Sequence, residues 1–249
     1  VVVDSEDLGK AKSLWMEESH SAKRPVIGVD CEGWLDAGLV EVVQVFLPTN
    51  NSALIYRMRA MEAEVRADAY AMLQSVFDDS LVVMHDSRAD AVGLAAQDPS
   101  IELWEVDLFD TQVAAGMTAS HSMLSLNDML GKLSLPINGL KEEMHRSMAH
   151  ASFSWAELDQ TKIDYAVANV AQLPDAHERL AEAVKARGYS IADVVAKSKE
   201  YAKEKMPTAD VNETIVAVDA PVEMTTSAAE DLILFNLLLR ACPELGKEI

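Results

Sequence analysis

Val26-Ile27-Gly28-Val29-Asp30-Cys31-Glu32-Gly33 is the stretch from which the rest of the chain can be read. Its apolar, β-branched residues describe a buried strand, and that strand ends in two acids separated by one residue. Side chains alternate along a strand, so Asp30 and Glu32 leave the same face of the sheet, while Cys31 points to the opposite face and into the core. Two like charges held side by side repel, and carboxylate oxygens suit hard cations. A shared Mg²⁺ or Mn²⁺ would relieve that repulsion, and the alternative is a strand end whose acids point into water. Gly33 lets the chain turn away or lets a ligand approach the backbone.

Composition limits what the strand can serve. The chain has 249 residues, 49% of them hydrophobic, enough for one sizeable core with an appendage. Lys and Arg total 21 against 41 Asp and Glu, a net charge of −20, which opposes general attraction to a phosphate backbone. Two distant cysteines make neither a disulfide framework nor a zinc signature and suit a reducing intracellular compartment. The apolar run 232–239 is too short to span a membrane, so no membrane span is expected. The sequence begins at Val1 rather than Met, which fits the cytoplasm or an organelle such as the mitochondrion after removal of a presequence.

Upstream of the strand, residues 1–24 are charged, lack a strand pattern and predict one amphipathic helix through Leu8, Ala11, Leu14 and Trp15. Downstream, 39–47 and 53–56 predict two more strands with short connections, hence an antiparallel meander. A helix over about 62–77 follows, then a fourth strand at 81–84, a helix carrying Arg88, Asp90 and Leu94, and a strand near 103–108. Ser125 caps a helix, residues 140–150 continue the helical tendency, and Asp159 caps a helix running through Tyr165 and Asn169 to about Leu180. Strands first and crossover helices after predict an α/β fold around a mixed sheet. Residues 183–249 read as a mostly helical C-terminal extension. It has a helix over 190–206, a possible edge strand at 215–218 and an apolar helix over 227–241 that packs back on the domain or docks on a partner.

Five groups of residues then fall into register. They are Val29-Asp30-Cys31-Glu32-Gly33, His85-Asp86-Ser87-Arg88-Ala89-Asp90, Phe109-Asp110-Thr111-Gln112, Ser125-Leu126-Asn127-Asp128-Met129-Leu130 and Tyr165-Ala166-Val167-Ala168-Asn169-Val170. Together they resemble the RNase D-type 3′–5′ exonuclease domain of the DEDD superfamily, in the flavour of its Egalitarian-like branch, over about residues 20–182. The resemblance implies an RNase H-like fold spanning 25–182. It also implies four acids holding two Mg²⁺ or Mn²⁺ ions, and a tyrosine orienting the water that attacks the 3′-terminal phosphodiester. Residue by residue the implied metal ligands are Asp30, Glu32, Asp90 and Asn169, the implied catalytic tyrosine is Tyr165, and His85 and Arg88 are the implied nucleic-acid contacts. His85 also has a structural reading, orienting its loop.

Two departures stand out. The fourth acid of the pattern is Asn169, which keeps the i, i+4 spacing to Tyr165 but not the charge. Asp164 points about 100° away on a helix and is a poor substitute. Where the family has Arg-Pro-Leu, this chain has Ala156-Glu157-Leu158. Two functions therefore stand side by side: a metal-dependent exonuclease trimming RNA or single-stranded DNA, and a pseudo-exonuclease working through protein partners inside a ribonucleoprotein-type complex. Asp86 and Asp110 read as caps or turn residues, and Phe153, Trp104 and Trp155 as core rather than base-stacking surfaces.

Overall fold

The computed structural model describes residues 1–21, 24–118, 123–150 and 153–206, and those residues belong to one compact unit, Val1–Met206. The edge strand and apolar helix expected within 207–249 lie outside the described residues. In chain order the elements are β1 (Val2–Val3), α1 (Leu8–Ser21), β2 (Val26–Trp34), β3 (Leu39–Leu47), β4 (Ser52–Tyr56), α2 (Ala63–Asp78), β5 (Leu81–Met84), α3 (Arg88–Gln97), β6 (Leu108–Asp110) and α4 (Thr111–Thr118). Then follow α5 (Leu126–Lys132), α6 (Lys141–Met148), α7 (Gln160–Val170), α8 (Leu173–Ala186) and α9 (Ile191–Lys203).

The strands form one sheet in the order β1-β4-β3-β2-β5-β6. The meander β2–β3–β4 is antiparallel, whereas β5 joins β2 and β6 joins β5 in parallel through crossovers. This is the mixed sheet expected of an RNase H-like fold, and β2 with its two acids lies at its centre. Because β2 is covered on both faces, its apolar residues sort by parity. Ile27, Val29 and Cys31 are buried in the core under α1, α2 and α3, while Val83 of β5 and Phe109 of β6 pack with α4, α5 and α8 in a second cluster.

Four expectations change. Residues 1–24 hold a strand as well as a helix: Val2 and Val3 pair in parallel with Ile55 and Tyr56, and two residues are too few to leave a periodic pattern. The strand expected near 103–108 is confined to Leu108–Asp110. The helix expected from Asp159 to about Leu180 is two helices, because Pro174 cannot donate to the Val170 carbonyl and its ring crowds that turn. At Gly33 the backbone makes a β-bulge rather than a turn: with φ at +146° it lets the bulge form at Glu32/Gly33, and a side chain there would strike the Leu39 carbonyl. The extra residue on the partner strand is Glu41. Its buried carboxylate accepts the Trp155 N–H at 3.1 Å and pairs with Arg59, which ties the loop before α7 to the sheet.

The first helix of the C-terminal extension packs on this same unit. Val194 of α9 belongs to one core cluster and Ala202 to the other, so α9 straddles the β6 side of the sheet. Its Ser190 cap forms a complete capping box with Asp193.

Candidate active site

The site is built where β2 meets the junction of α7 and α8. Gly28 shares a face with Asp30 and Glu32, and a Cβ there would overlap the Val170 carbonyl oxygen and come within 3.1 Å of the Leu173 Cβ. The missing side chain lets the helix junction sit directly on the strand. That close approach sets Asn169, one residue before Val170, above the two acids.

A cavity of about 170 Å³ opens there, lined by Asp30, Cys31, Glu32, His85, Leu126, Lys141, Tyr165, Asn169 and Leu173. Of the residues singled out in the sequence, Asp30, Glu32, His85, Tyr165 and Asn169 line it, whereas Asp90 and Arg88 do not. Asp90 is buried at the start of α3 and accepts the Cys31 N–H at 3.0 Å, so it faces the backbone of β2 between the two acids. Its charge still reaches them. Burial raises Glu32 well above its ordinary value, and the charges of Asp30 and Asp90 raise it further. Burial lifts Asp30 to about 6, against the opposing influence of Asn169, Lys141 and the Cys31 backbone. Asp90 itself is raised by burial and then by Asp30. Tyr165 is pushed up by burial and by the Glu32 charge, and its ring lies tilted against Trp155 at 6.1 Å. Trp155 and Phe153 pack edge to face in this cluster.

Asn169 holds the centre. Its Nδ2 donates to Asp30 Oδ2 at 3.2 Å and to Glu32 Oε1 at 3.1 Å. Its Oδ1 accepts from Asn138 Nδ2 at 2.8 Å. The amide therefore presents hydrogens, not oxygen, to the carboxylates. A hard divalent cation takes oxygen ligands, and the N–H groups occupy the space and the lone pairs that such an ion would need. Among the described residues no three His, Cys, Asp or Glu side chains are grouped so as to hold a metal ion. The donor set as arranged does not fit a two-metal centre. Asp164 does not repair it, because its carboxylate accepts from Gln160 on the exposed side of α7.

The two expected nucleic-acid contacts are both engaged within the protein. His85 Nδ1 lies 2.8 Å from Thr111 Oγ1 and Nε2 lies 3.0 Å from the Leu124 carbonyl, so the ring ties β5 to the start of α4 and the segment before α5. Burial lowers its pKa. Arg88 grips Asp86 with two nitrogens at 2.7 and 3.1 Å, lies 4.5 Å over the Tyr201 ring and reaches Glu204 at 3.4 Å. Tyr201 donates to the same Asp86 carboxylate at 3.1 Å. Asp110 is a cap, accepting the N–H groups of Ser87 at 2.8 Å and Gln112 at 2.7 Å. Along 154–162, the Ala156 carbonyl accepts from Arg57, and Lys162 Nζ donates to the carbonyls of Ser154 and Glu157, each at 2.7 Å.

Two residues escaped the sequence reading. Lys141 faces Asp30 and Glu32 from the first turn of α6 and is the cation among the cavity's lining residues. Asn138 sits in the loop before it. Neither position belongs to a periodic pattern; the turn signal Pro136-Ile137-Asn138-Gly139 was the available clue.

No protein-family model and no curated protein matches the sequence. Similarity appears among solved structures. The Trypanosoma brucei RNase D: GMP complex superposes with a TM-score of 0.64 at 16% identity, covering 82% of this chain and 63% of that one. Brucella melitensis NrnC bound to pGG gives 0.56 at 17% identity, covering 82% and 92%, and the form of NrnC with bound Mg²⁺ gives 0.53 at 15%. Escherichia coli RNase D, an exoribonuclease involved in structured RNA processing, gives 0.59 at 13%, and this chain spans about half of it, 49%. With its mixed six-stranded sheet, its flanking helices and two acids on the central strand, the chain has the RNase H-like fold of the RNase D-type, DEDD 3′–5′ exonuclease domain.

Proposed function

We propose that this chain is an exonuclease-like domain that has lost two-metal hydrolysis and serves as a nucleic-acid-associated or scaffold subunit of a larger, ribonucleoprotein-type complex. The observation that carries this reading is the Asn169 amide, whose Nδ2 donates to both Asp30 and Glu32. Phosphodiester hydrolysis by two cations needs anionic ligands to hold the ions about 4 Å apart. Here the fourth anion is an amide turned the wrong way round. The confinement of Arg88 by Asp86, Tyr201 and Glu204, together with the net charge of −20, further supports protein contacts over capture of a polyanion.

A second reading, an active Mg²⁺- or Mn²⁺-dependent exonuclease acting on RNA or single-stranded DNA, is favoured by one observation: Asp30, Glu32 and Tyr165 all line one cavity. Calorimetric titration with Mn²⁺, run beside trimming assays on single-stranded RNA and DNA, separates the two. The expected result is no Mg²⁺-dependent trimming by the wild-type chain, and Mn²⁺ affinity raised at least about a hundredfold in Asn169→Asp. Equal Mn²⁺ affinity of the two proteins would remove Asn169 as the limiting defect. Brisk trimming by the wild type would install the second reading instead.

A further inference from the structure

We propose that Asn138 is a positioning residue that closes the cavity to divalent cations by fixing which end of the Asn169 amide faces Asp30 and Glu32. This rests on the reading given under Proposed function and names the device behind it. The oxygen and nitrogen of a side-chain amide have nearly the same shape, so its partners alone decide its orientation. For Asn169 they lie on two sides: the carboxylates accept from its NH₂, and Asn138, outside the acid cluster, takes hold of its oxygen.

The chain of constraints starts at groups that have no choice. The backbone N–H of Leu140 can only donate, and it donates to Asn138 Oδ1 at 3.0 Å. The backbone carbonyl of Tyr165 can only accept, and it accepts from Asn138 Nδ2 at 3.1 Å. Asn138 is thus pinned from both sides, with its second amide hydrogen left to face Asn169. Asn169 must meet that hydrogen with its oxygen, at 2.8 Å, and must turn its own NH₂ toward the carboxylates. The Asn138 backbone is held in turn by Asn127, whose Oδ1 accepts the Asn138 N–H and whose Nδ2 donates to the Asn138 carbonyl, both at 2.9 Å.

Asn138 and Asn169 are both buried, so reversing either amide would leave donors facing donors with little water to intervene. The relay makes metal exclusion a property of three asparagines rather than of position 169 alone. Remove the Asn138 NH₂, and nothing outside the cluster holds the Asn169 oxygen back, so a cation between Asp30 and Glu32 can draw it in. The cavity then presents an all-oxygen set that a hard cation stabilises.

The test measures the thermal midpoint of the wild type, Asn138→Ser and Asn169→Asp with and without excess Mn²⁺. Serine keeps an oxygen for the Leu140 N–H and removes the NH₂. The expected result is no Mn²⁺ response in the wild type and a rise of roughly 5 °C in both variants when Mn²⁺ is about a hundredfold above its dissociation constant. A gain of a metal response is a readout that a merely structural asparagine would not give. If Asn169→Asp responds and Asn138→Ser stays like the wild type, the inference is overturned and the reading of Asn169 stands. If the wild type responds as strongly as Asn169→Asp, that reading falls and takes this one with it. A second measurement needs no variant. With ¹⁵N-labelled asparagine, the side-chain NH₂ groups of both Asn138 and Asn169 should exchange slowly with solvent and stay sharp in Mn²⁺. Fast exchange at Asn138, or selective broadening of Asn169 by Mn²⁺, would also overturn it.

Discussion

Carboxylates packed within reach of one another and away from water hold their protons more tightly than isolated acids. Asp30 is raised to about 6, and Glu32 and Asp90 are raised well above their ordinary values. Since these folded-state values exceed those of the unfolded chain, the folded protein binds more protons above about pH 4. The cluster's contribution to stability is therefore full below the unfolded values and is lost as pH rises through the folded ones. Thermal melts from about pH 5 to 8 should show Glu32→Gln more stable than the wild type at neutral pH and less sensitive to pH. Identical profiles would mean that Asp30 and Glu32 do not share a field. Lys141 acts in the opposite sense, since its charge favours the ionised forms of both acids. Lys141→Met should cost about 1 kcal/mol at neutral pH and much less at about pH 5, where the acids are protonated. An equal loss at both pH values would assign Lys141 to packing rather than to charge.

At the scale of elements, the position of the site depends on Gly28. Gly28→Ala places a methyl group against the Val170 carbonyl and the Leu173 Cβ, forcing the α7–α8 junction off β2. Urea unfolding should show a loss of about 1–3 kcal/mol, with the Asn169 side chain exchanging faster than in the wild type. A variant as stable as the wild type, with Asn169 still protected, would show that the junction needs no such clearance. The same elements explain how far the sequence could be read. β2 to β5 carried apolar runs, α2 a helical stripe and α5 a capping serine, and the acids of β2 set the site's centre because strand parity is unambiguous. The break between α7 and α8 was legible in Pro174 but was overridden by the apolar pattern around it. Glu41, Asn138 and Lys141 sit at a bulge, in a loop and at a helix start, where residue identity reports a tertiary partner and no local rule points to it. Arg88 was read from its neighbours in sequence. Besides Asp86 two residues away, its partners are Tyr201 of α9 and Glu204 just past that helix, more than a hundred residues on.

For the whole molecule, 41 acids against 21 Lys and Arg give a surface that repels other polyanions. Among the described residues no helix is long and apolar enough to cross a membrane. If the protein works through partners, size-exclusion chromatography with light scattering should find native material in a larger species and the recombinant chain alone as a smaller one. A single monomeric species from both sources, with Mg²⁺-dependent trimming of single-stranded RNA, would reject that organisation.

The margins of the sheet narrow what kind of partner could bind. At one side β1 contributes two residues, and at the other β6 contributes three, with α9 laid against it and Ser198 Oγ accepting the Asp110 N–H at 2.9 Å. Among the described residues neither margin offers the long row of unpaired amides and carbonyls onto which a foreign strand could zip. At these two margins strand addition has only two and three residues to pair with, which favours recognition of helix faces by shape and charge. The same blunt margins guard against edge-to-edge stacking, so at high concentration this unit should resist the fibrous aggregation to which open-edged sheets are prone.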